Sequence, residues 1–230
     1  MTAEKEAGES QGTSKSSFTQ RAIWIISSVI VLDQASKIAV LKTMNRQESI
    51  SIIGDWFRFT FTENPGMAFG IEYGPPSLIT IFSIAATGLI ILYLRKVGHI
   101  YTPYRLSLAL VLGGAIGNII DRLFYGMILY DAPLFSGKVV DFIHINAWRG
   151  FVPESVPLLG GKYLQLFPIW NVADMAIVLG VVGILVFQSR FHEKVAALEE
   201  SDASTETTTD TTSDGDGDIS ADAVSTQAES

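Results

Sequence analysis

The residues of this sequence with the most chemistry to offer are acids and amides set in apolar company. Asp141 sits inside VVDFI, and Asp174 lies in NVADMAIVLG, three positions after Asn171. Neither acid has a basic residue within two positions. Asn118 stands three residues before Asp121 and four before Arg122, and Asp33 stands four before Lys37. Helical residues three or four apart share a face, so each group would present its polar ends together. Other chemistries lack their parts. There is no cysteine, which excludes thiol nucleophiles, disulfides and thiolate-bound metals. His99, His144 and His192 do not cluster with a serine, and neither HExxH nor GxSxG occurs, so no metal and no cofactor is expected. Carboxylates remain. Two carboxyl groups held close in a low-dielectric site share a proton. The charged one can take a proton from water while the protonated one donates to a carbonyl oxygen, which hydrolyses an amide. Asp174 is a candidate for half of such a pair, with Asn171 orienting it or a substrate backbone.

The elements that carry these residues are those of a membrane protein. Of 230 residues, 48% are hydrophobic and 17% charged, against about 25% charged in a soluble domain. Mean hydropathy is +0.32 although both ends are polar. The net charge of −8 misleads: ten acids and no Lys or Arg fall between Glu199 and Ser230, leaving 14 acids against 16 bases elsewhere. Nucleic-acid binding has no support. Four apolar runs, about 21–41, 77–94, 105–123 and 170–188, have the length a helix needs to cross about 30 Å of hydrocarbon. Arg21, the Arg95–Arg105 loop, and Arg190 with Lys194 put three basic flanks on one side, read as cytoplasmic together with both termini. Residues 42–76 and 124–169 then face outward. Residues 48–62, ESISIIGDWFRFTFT, alternate apolar and polar around Gly54-Asp55 and predict a hairpin there. TENPGMAFG (62–70) and KVVDFIHI (138–145) read as outer loop stretches. Residues 1–20 and the acidic tail, 195–230, read as disordered, flanking a membrane domain over 21–192. In the tail, DGDGD has the acids of a calcium loop but not its glycine or glutamate: Ile219 and Ser225 stand at those positions.

In this topology Asp33, Lys37, Asn118, Asp121, Arg122, Asn171 and Asp174 all fall at the outer ends of their helices. Ionisable residues in membrane helices are costly and usually face the bundle interior. Each has a plainer reading beside the functional one. Arg122 with Asp121 fits an interfacial ion pair. Asn118 fits interhelical glue. Asp33 and Lys37 fit a structural pair, and GGAIG (113–117) fits close helix packing. Asp141 and Asp174 are the least easily explained by structure alone. Two other functions would use buried acids or a polar tail: a proton-coupled transporter or channel component, and a membrane scaffold. The acids cluster at one face instead of spanning the bilayer, and no inverted repeat shows.

The blocks DQASK, ENPGMAFG, GGAIGNIIDR, VVDF and FPIWNVADMAI, in this order across four predicted helices, resemble the lipoprotein signal peptidases (signal peptidase II) over roughly residues 20–190. The resemblance implies a four-helix bacterial inner-membrane aspartyl protease, all-α but for a small extracytoplasmic β-cradle. Its partners would be membrane lipid and a prolipoprotein carrying diacylglycerol on its lipobox Cys, cut just before that Cys, with inhibition by globomycin-like peptides, and the protein is expected to be a monomer. By motif, Asp141 and Asp174 match the catalytic pair. Asn64, Asn118, Arg122, Asn171 and Asp33 match site-supporting or substrate-binding positions, and Asp121, with Lys37, a structural one. Residues 127–138 and 143–166 are longer than the family pattern, and Trp170 stands where Phe is common.

Overall fold

The computed structural model describes residues 3–66, 76–146, 149–157, 160–161, 163–165 and 167–210. The chain divides into two units, Met1–Gln188 and Ser189–Ser230. The polar cluster lies wholly in the first.

Helix α1 (Ala3–Thr43) is followed by strands β1 (Ser49–Ile53) and β2 (Phe57–Asn64), then helices α2 (Pro76–Val97) and α3 (Thr102–Ile120). A π turn, Asp121–Tyr125, joins α3 to a short α4 (Gly126–Tyr130). Strands β3 (Val139–Ile145), β4 (Arg149–Phe151), β5 (Tyr163–Gln165) and β6 (Ile169–Trp170) lead into α5 (Val172–Asp210). Among the described residues, four helical stretches are long and apolar enough to cross a membrane: Gln20–Thr43, Ser77–Val97, Thr102–Tyr130 and Val172–Ser201. The third is 56% buried and the others 11–22%, so α3 is the central helix. The rest turn large apolar side chains outward, including Trp24, Phe82, Leu89 and Val186. That is the pattern of helices whose solvent is lipid.

Close packing of α3 comes from its glycines. A Cβ on Gly117 would stand 2.6 Å from Oδ2 of Asp33, and one on Gly114 would strike the carbonyl oxygen of Ala173. The GGAIG run therefore draws α1 and α5 against α3 at the depth of the polar residues.

Strands β1-β2-β3-β6 form one antiparallel sheet, and β4-β5 a separate pair. The hairpin predicted at 48–62 is β1-β2. The stretch 138–145, read as loop, is instead the central strand β3. Val139, Val140, Asp141 and Phe142 are all buried, so both faces are covered and the alternation that signals a half-exposed strand is absent. Residues 62–64 of the other loop stretch belong to β2, while 67–70 lie outside the described residues. Val140 and Phe142 pack with Val40, Met44, Phe61 and Tyr125 in a core that seats the sheet on the ends of α1 and the π turn.

The first and last helices run into both terminal segments. Helix α1 begins at Ala3, within the segment 1–20 read as disordered, and α5 runs on to Asp210 through the start of the tail. Good helix formers such as Glu4, Lys5, Ala196, Ala197 and Leu198 extend helices already nucleated by the apolar runs. Residues 211–230 lie outside the described residues.

Candidate active site

The NVAD motif is a capping box. Asn171 precedes α5, and its side-chain Oδ1 accepts the backbone N–H of Asp174 at 2.9 Å. In return Asp174 Oδ2 accepts the backbone N–H of Asn171 at 3.3 Å. This satisfies helix N-terminal donors that hydrocarbon would leave unpaired. It also explains the spacing of three. The amide nitrogen of Asn171 stays free for other partners: it donates to Asp141 Oδ1 at 2.7 Å and to Asn118 Oδ1 at 3.1 Å. Asn118 Nδ2 donates to the second oxygen of Asp174, Oδ1, at 2.8 Å. Residues from α3, β3 and α5 thus meet around one amide.

Asp141 reaches this point from β3. Its strand is paired with β2 so that Thr62 lies opposite Asp141 and Asn64 opposite Val139. Asn64 is thereby the diagonal neighbour of Asp141 on the same sheet face. The Asn64 side chain hydrogen-bonds Asp141, while its Oδ1 accepts the backbone N–H of Gly66 at 2.8 Å. The β2–β3 register shifts between Phe59 and Thr62, a bulge that re-aims the end of β2 beside the acid. Asp141 is 2% exposed. Burial first, and then the neighbouring carboxyl of Asp174, push Asp141 up to about 7.

Below the two acids lies a second cluster. Lys37 Nζ reaches Asp33 Oδ2 at 2.8 Å, Asp121 Oδ2 at 2.7 Å and Asn118 Oδ1 at 3.0 Å. Lys37, Asp33 and Asp121 are each 0% exposed. Gln34 donates through Nε2 to Asp121 Oδ1 at 2.9 Å, and its Oε1 accepts the Tyr125 hydroxyl at 3.0 Å. All three N–H groups of Lys37 are used, as a buried ammonium requires.

Arg122 does not form the ion pair with Asp121 that its sequence position allowed, because Asp121 is turned to Lys37 and Gln34. Arg122 is half-buried, lies within electrostatic reach of Asp174, Asp121 and Asp141, and keeps a buried Nε without a hydrogen-bond partner. Both residues belong to the π turn. The backbone carbonyl of Arg122 accepts the N–H of Gly137 at 3.1 Å. A Cβ at Gly137 would collide with the carbonyl oxygen of Asp121, so the chain entering β3 can approach the π turn only as glycine.

The structure brings together Asp33, Lys37, Asn64, Asn118, Asp121, Asn171, Asp141 and Asp174. Sequence reasoning missed Gln34 and Tyr125. Gln34 carries the same signal as its neighbours, a polar side chain in an apolar helix. Glu63 was also missed: it is buried, pairs with Arg46 at 3.0 Å and with Lys138 at 4.0 Å, and accepts the Tyr130 hydroxyl.

Comparison with known proteins decides the family. The signal peptidase (SPase) II family profile matches residues 25–190. The chain belongs to the signal peptidase II family. Among its relatives, the lipoprotein signal peptidase of Amoebophilus asiaticus is 39% identical over 171 residues, covering 68% of this chain and 72% of that one. That of Chlorobium phaeobacteroides is 34% identical over 178 residues, covering 77% and 95%. Two solved bacterial membrane enzymes, determined by the in meso method at 2.3 Å and 1.9 Å resolution, share the fold of this signal peptidase II family member. Their TM-scores are 0.57 and 0.55 at 26% and 27% identity, over 74% and 73% of this chain and 88% and 91% of theirs. A family of peptidases gives no support to the transporter alternative.

Proposed function

We propose that this chain is an aspartic endopeptidase of the bacterial cytoplasmic membrane that removes the signal peptide from diacylglyceryl-modified prolipoproteins, cutting before the lipidated Cys. The observation that carries the reading is the sharing of Asn171 between two acids from distant parts of the chain. Its side chain donates to Asp141 and caps the backbone of Asp174.

The division of labour follows from the partners. Asp174 accepts from Asn118 and from the N–H of Asn171, and it lies in the first turn of α5, where the helix N-terminus favours an anion. It is the base. Asp141, at about 7 beside that charge, holds the shared proton and is the acid. Water attacks the scissile carbonyl carbon, giving a proton to Asp174 as Asp141 protonates the carbonyl oxygen. The tetrahedral diol then collapses. Asp174 returns its proton to the leaving amine nitrogen as the C–N bond breaks, and Asp141 recovers its proton from a diol hydroxyl. Asn64 and Asn118 hold the two acids, and Arg122 supplies a cation beside the substrate. Asp33, Asp121 and Lys37 support them from beneath.

By this reading the sheet is extracytoplasmic, the site lies near the outer membrane face and both termini are cytoplasmic, in keeping with the basic flanks. The protein acts as a monomer in this reading. The test is cleavage of a diacylglyceryl precursor peptide by purified protein in detergent, with mass spectrometry of the products. A cut immediately before the modified Cys, unaffected by EDTA, supports the reading. No cut, a cut elsewhere, or loss of activity on chelation contradicts it.

A further inference from the structure

The buried Lys37 has more to do than neutralise its helix neighbour Asp33. Each of its three partners continues to one catalytic aspartate. Asp33, besides taking Lys37 on Oδ2, accepts through Oδ1 the backbone N–H of Ala173 at 3.0 Å, the residue just before Asp174. Asp121 takes Lys37 on Oδ2, and the same oxygen accepts the backbone N–H of Val140 at 3.2 Å, the residue just before Asp141. The third partner, Asn118, receives Lys37 on Oδ1 and so must turn its NH₂ toward Asp174. With the oxygen and nitrogen exchanged, the amide would face Lys37 donor to donor and Asp174 acceptor to acceptor.

Resting on the function proposed above, we infer that Lys37 is the positioning residue of the dyad: one ammonium gathers the carboxylates that hold the backbones of β3 and α5 one residue ahead of Asp141 and Asp174, and it fixes the amide that holds Asp174. Lys37 touches no reacting atom. It sets the distance and direction between two acids that share a proton. Both carboxylates need it, since two buried anions with no cation between them repel. The arrangement also accounts for a buried lysine in a membrane helix, where a plain structural pair would be met by fewer polar groups.

Among the described residues, the charged groups that face Asp141 are Asp174 from α5, Lys37 from α1 and Arg122 from the π turn, with Asn64 and Asn171 as hydrogen-bond donors. Lys37 lowers the pKa of Asp141 by its charge, so its removal moves the alkaline limb of the activity profile to higher pH.

The experiment measures Lys37→Gln in detergent: peptide cleavage across pH, together with folded fraction by size-exclusion chromatography and thermal unfolding. Where Lys37→Gln yields no folded protein, the pair Lys37→Gln/Asp33→Asn, which conserves the cluster's net charge, is measured in the same way. Wild type and Asp174→Asn are run beside them. An inactive wild type, or an active Asp174→Asn, would overturn the functional reading on which the inference rests. Given an active wild type and an inactive Asp174→Asn, the inference expects folded protein with kcat down about 100-fold. It expects KM within about threefold, since no substrate contact is lost, and a displaced alkaline limb. It is overturned by kcat within about threefold of wild type, or by a loss that merely follows the folded fraction with the limb unmoved.

Discussion

The side-chain amide of Asn171 donates to Asp141 at 2.7 Å while its oxygen caps the backbone of Asp174 at 2.9 Å. One residue therefore sets both the start of α5 and the place of the strand acid. Asn171→Ser keeps an acceptor for the cap but loses the amide donors to Asp141 and Asn118. We expect it to fold with stability close to wild type and to lose about 100-fold or more in kcat. Asn171→Ala loses the cap as well, and its stability should fall by about 1 kcal/mol. Thermal unfolding beside turnover separates the two effects. Equal loss of stability in both variants would contradict the capping role.

Asp141 lies outside the membrane-spanning helices and is pushed from its ordinary 3.8 to about 7. As the general acid it must be protonated, so kcat should fall as pH rises through about 7. Stability follows the same group. Its folded value is raised above its unfolded value, so its contribution is complete below about pH 4 and is lost as pH rises to about 7. Ionisation of the buried group then costs up to about 4 kcal/mol above neutrality. Asp141→Asn should consequently raise Tm at pH 8 and leave it nearly unchanged at pH 4. An equal effect at both pH values would show that burial does not burden this carboxylate.

Gly137 touches the π turn so closely that a methyl group has no room. Gly137→Ala should destabilise the fold by about 1–3 kcal/mol, the usual cost of overpacking. Because the shift would enter β3 four residues before Asp141, activity should drop further than the folded fraction does. Unfolding curves and turnover on the folded fraction check this, and an unaffected variant would remove the close approach from the account.

The absence of cysteine makes the chain a clean host for topology mapping. Single cysteines at Asp55, whose side chain is 91% exposed in the β1–β2 turn, and at exposed His99, between α2 and α3, should label from opposite sides of the membrane. In intact cells whose outer barrier is opened, a membrane-impermeant maleimide should react at position 55 and not at 99. The reverse pattern would invert the proposed orientation.

Much of this architecture is legible in the residues. The four apolar runs, the alternation in WFRFTFT and the polar pairs at three or four residues each follow from one local periodicity. The limits of legibility are physical too. VVDFIHI has no alternation because β3 is covered on both faces, so its role as the central strand depends on partners far away in sequence. The π turn is one extra residue in a helical ring and leaves no pattern in DRLFY. Asp33 and Lys37 do look like a local pair, and they are one at 2.8 Å. Their further bonds to Ala173 and Asn118 join elements that only the fold brings together. Gln34 could have been found, since an amide in a membrane helix is as costly as the neighbours that were counted.

The central claim is that Asp141 and Asp174 do the chemistry as a pair. The most direct test compares wild type with Asp141→Asn and Asp174→Asn, each shown to be folded, on a diacylglyceryl precursor peptide at pH 6–7. We predict that each single variant loses about 10³-fold or more in turnover, and that the double variant is little worse than either, since the two act as one unit. Near wild-type turnover in either folded single variant would contradict the account.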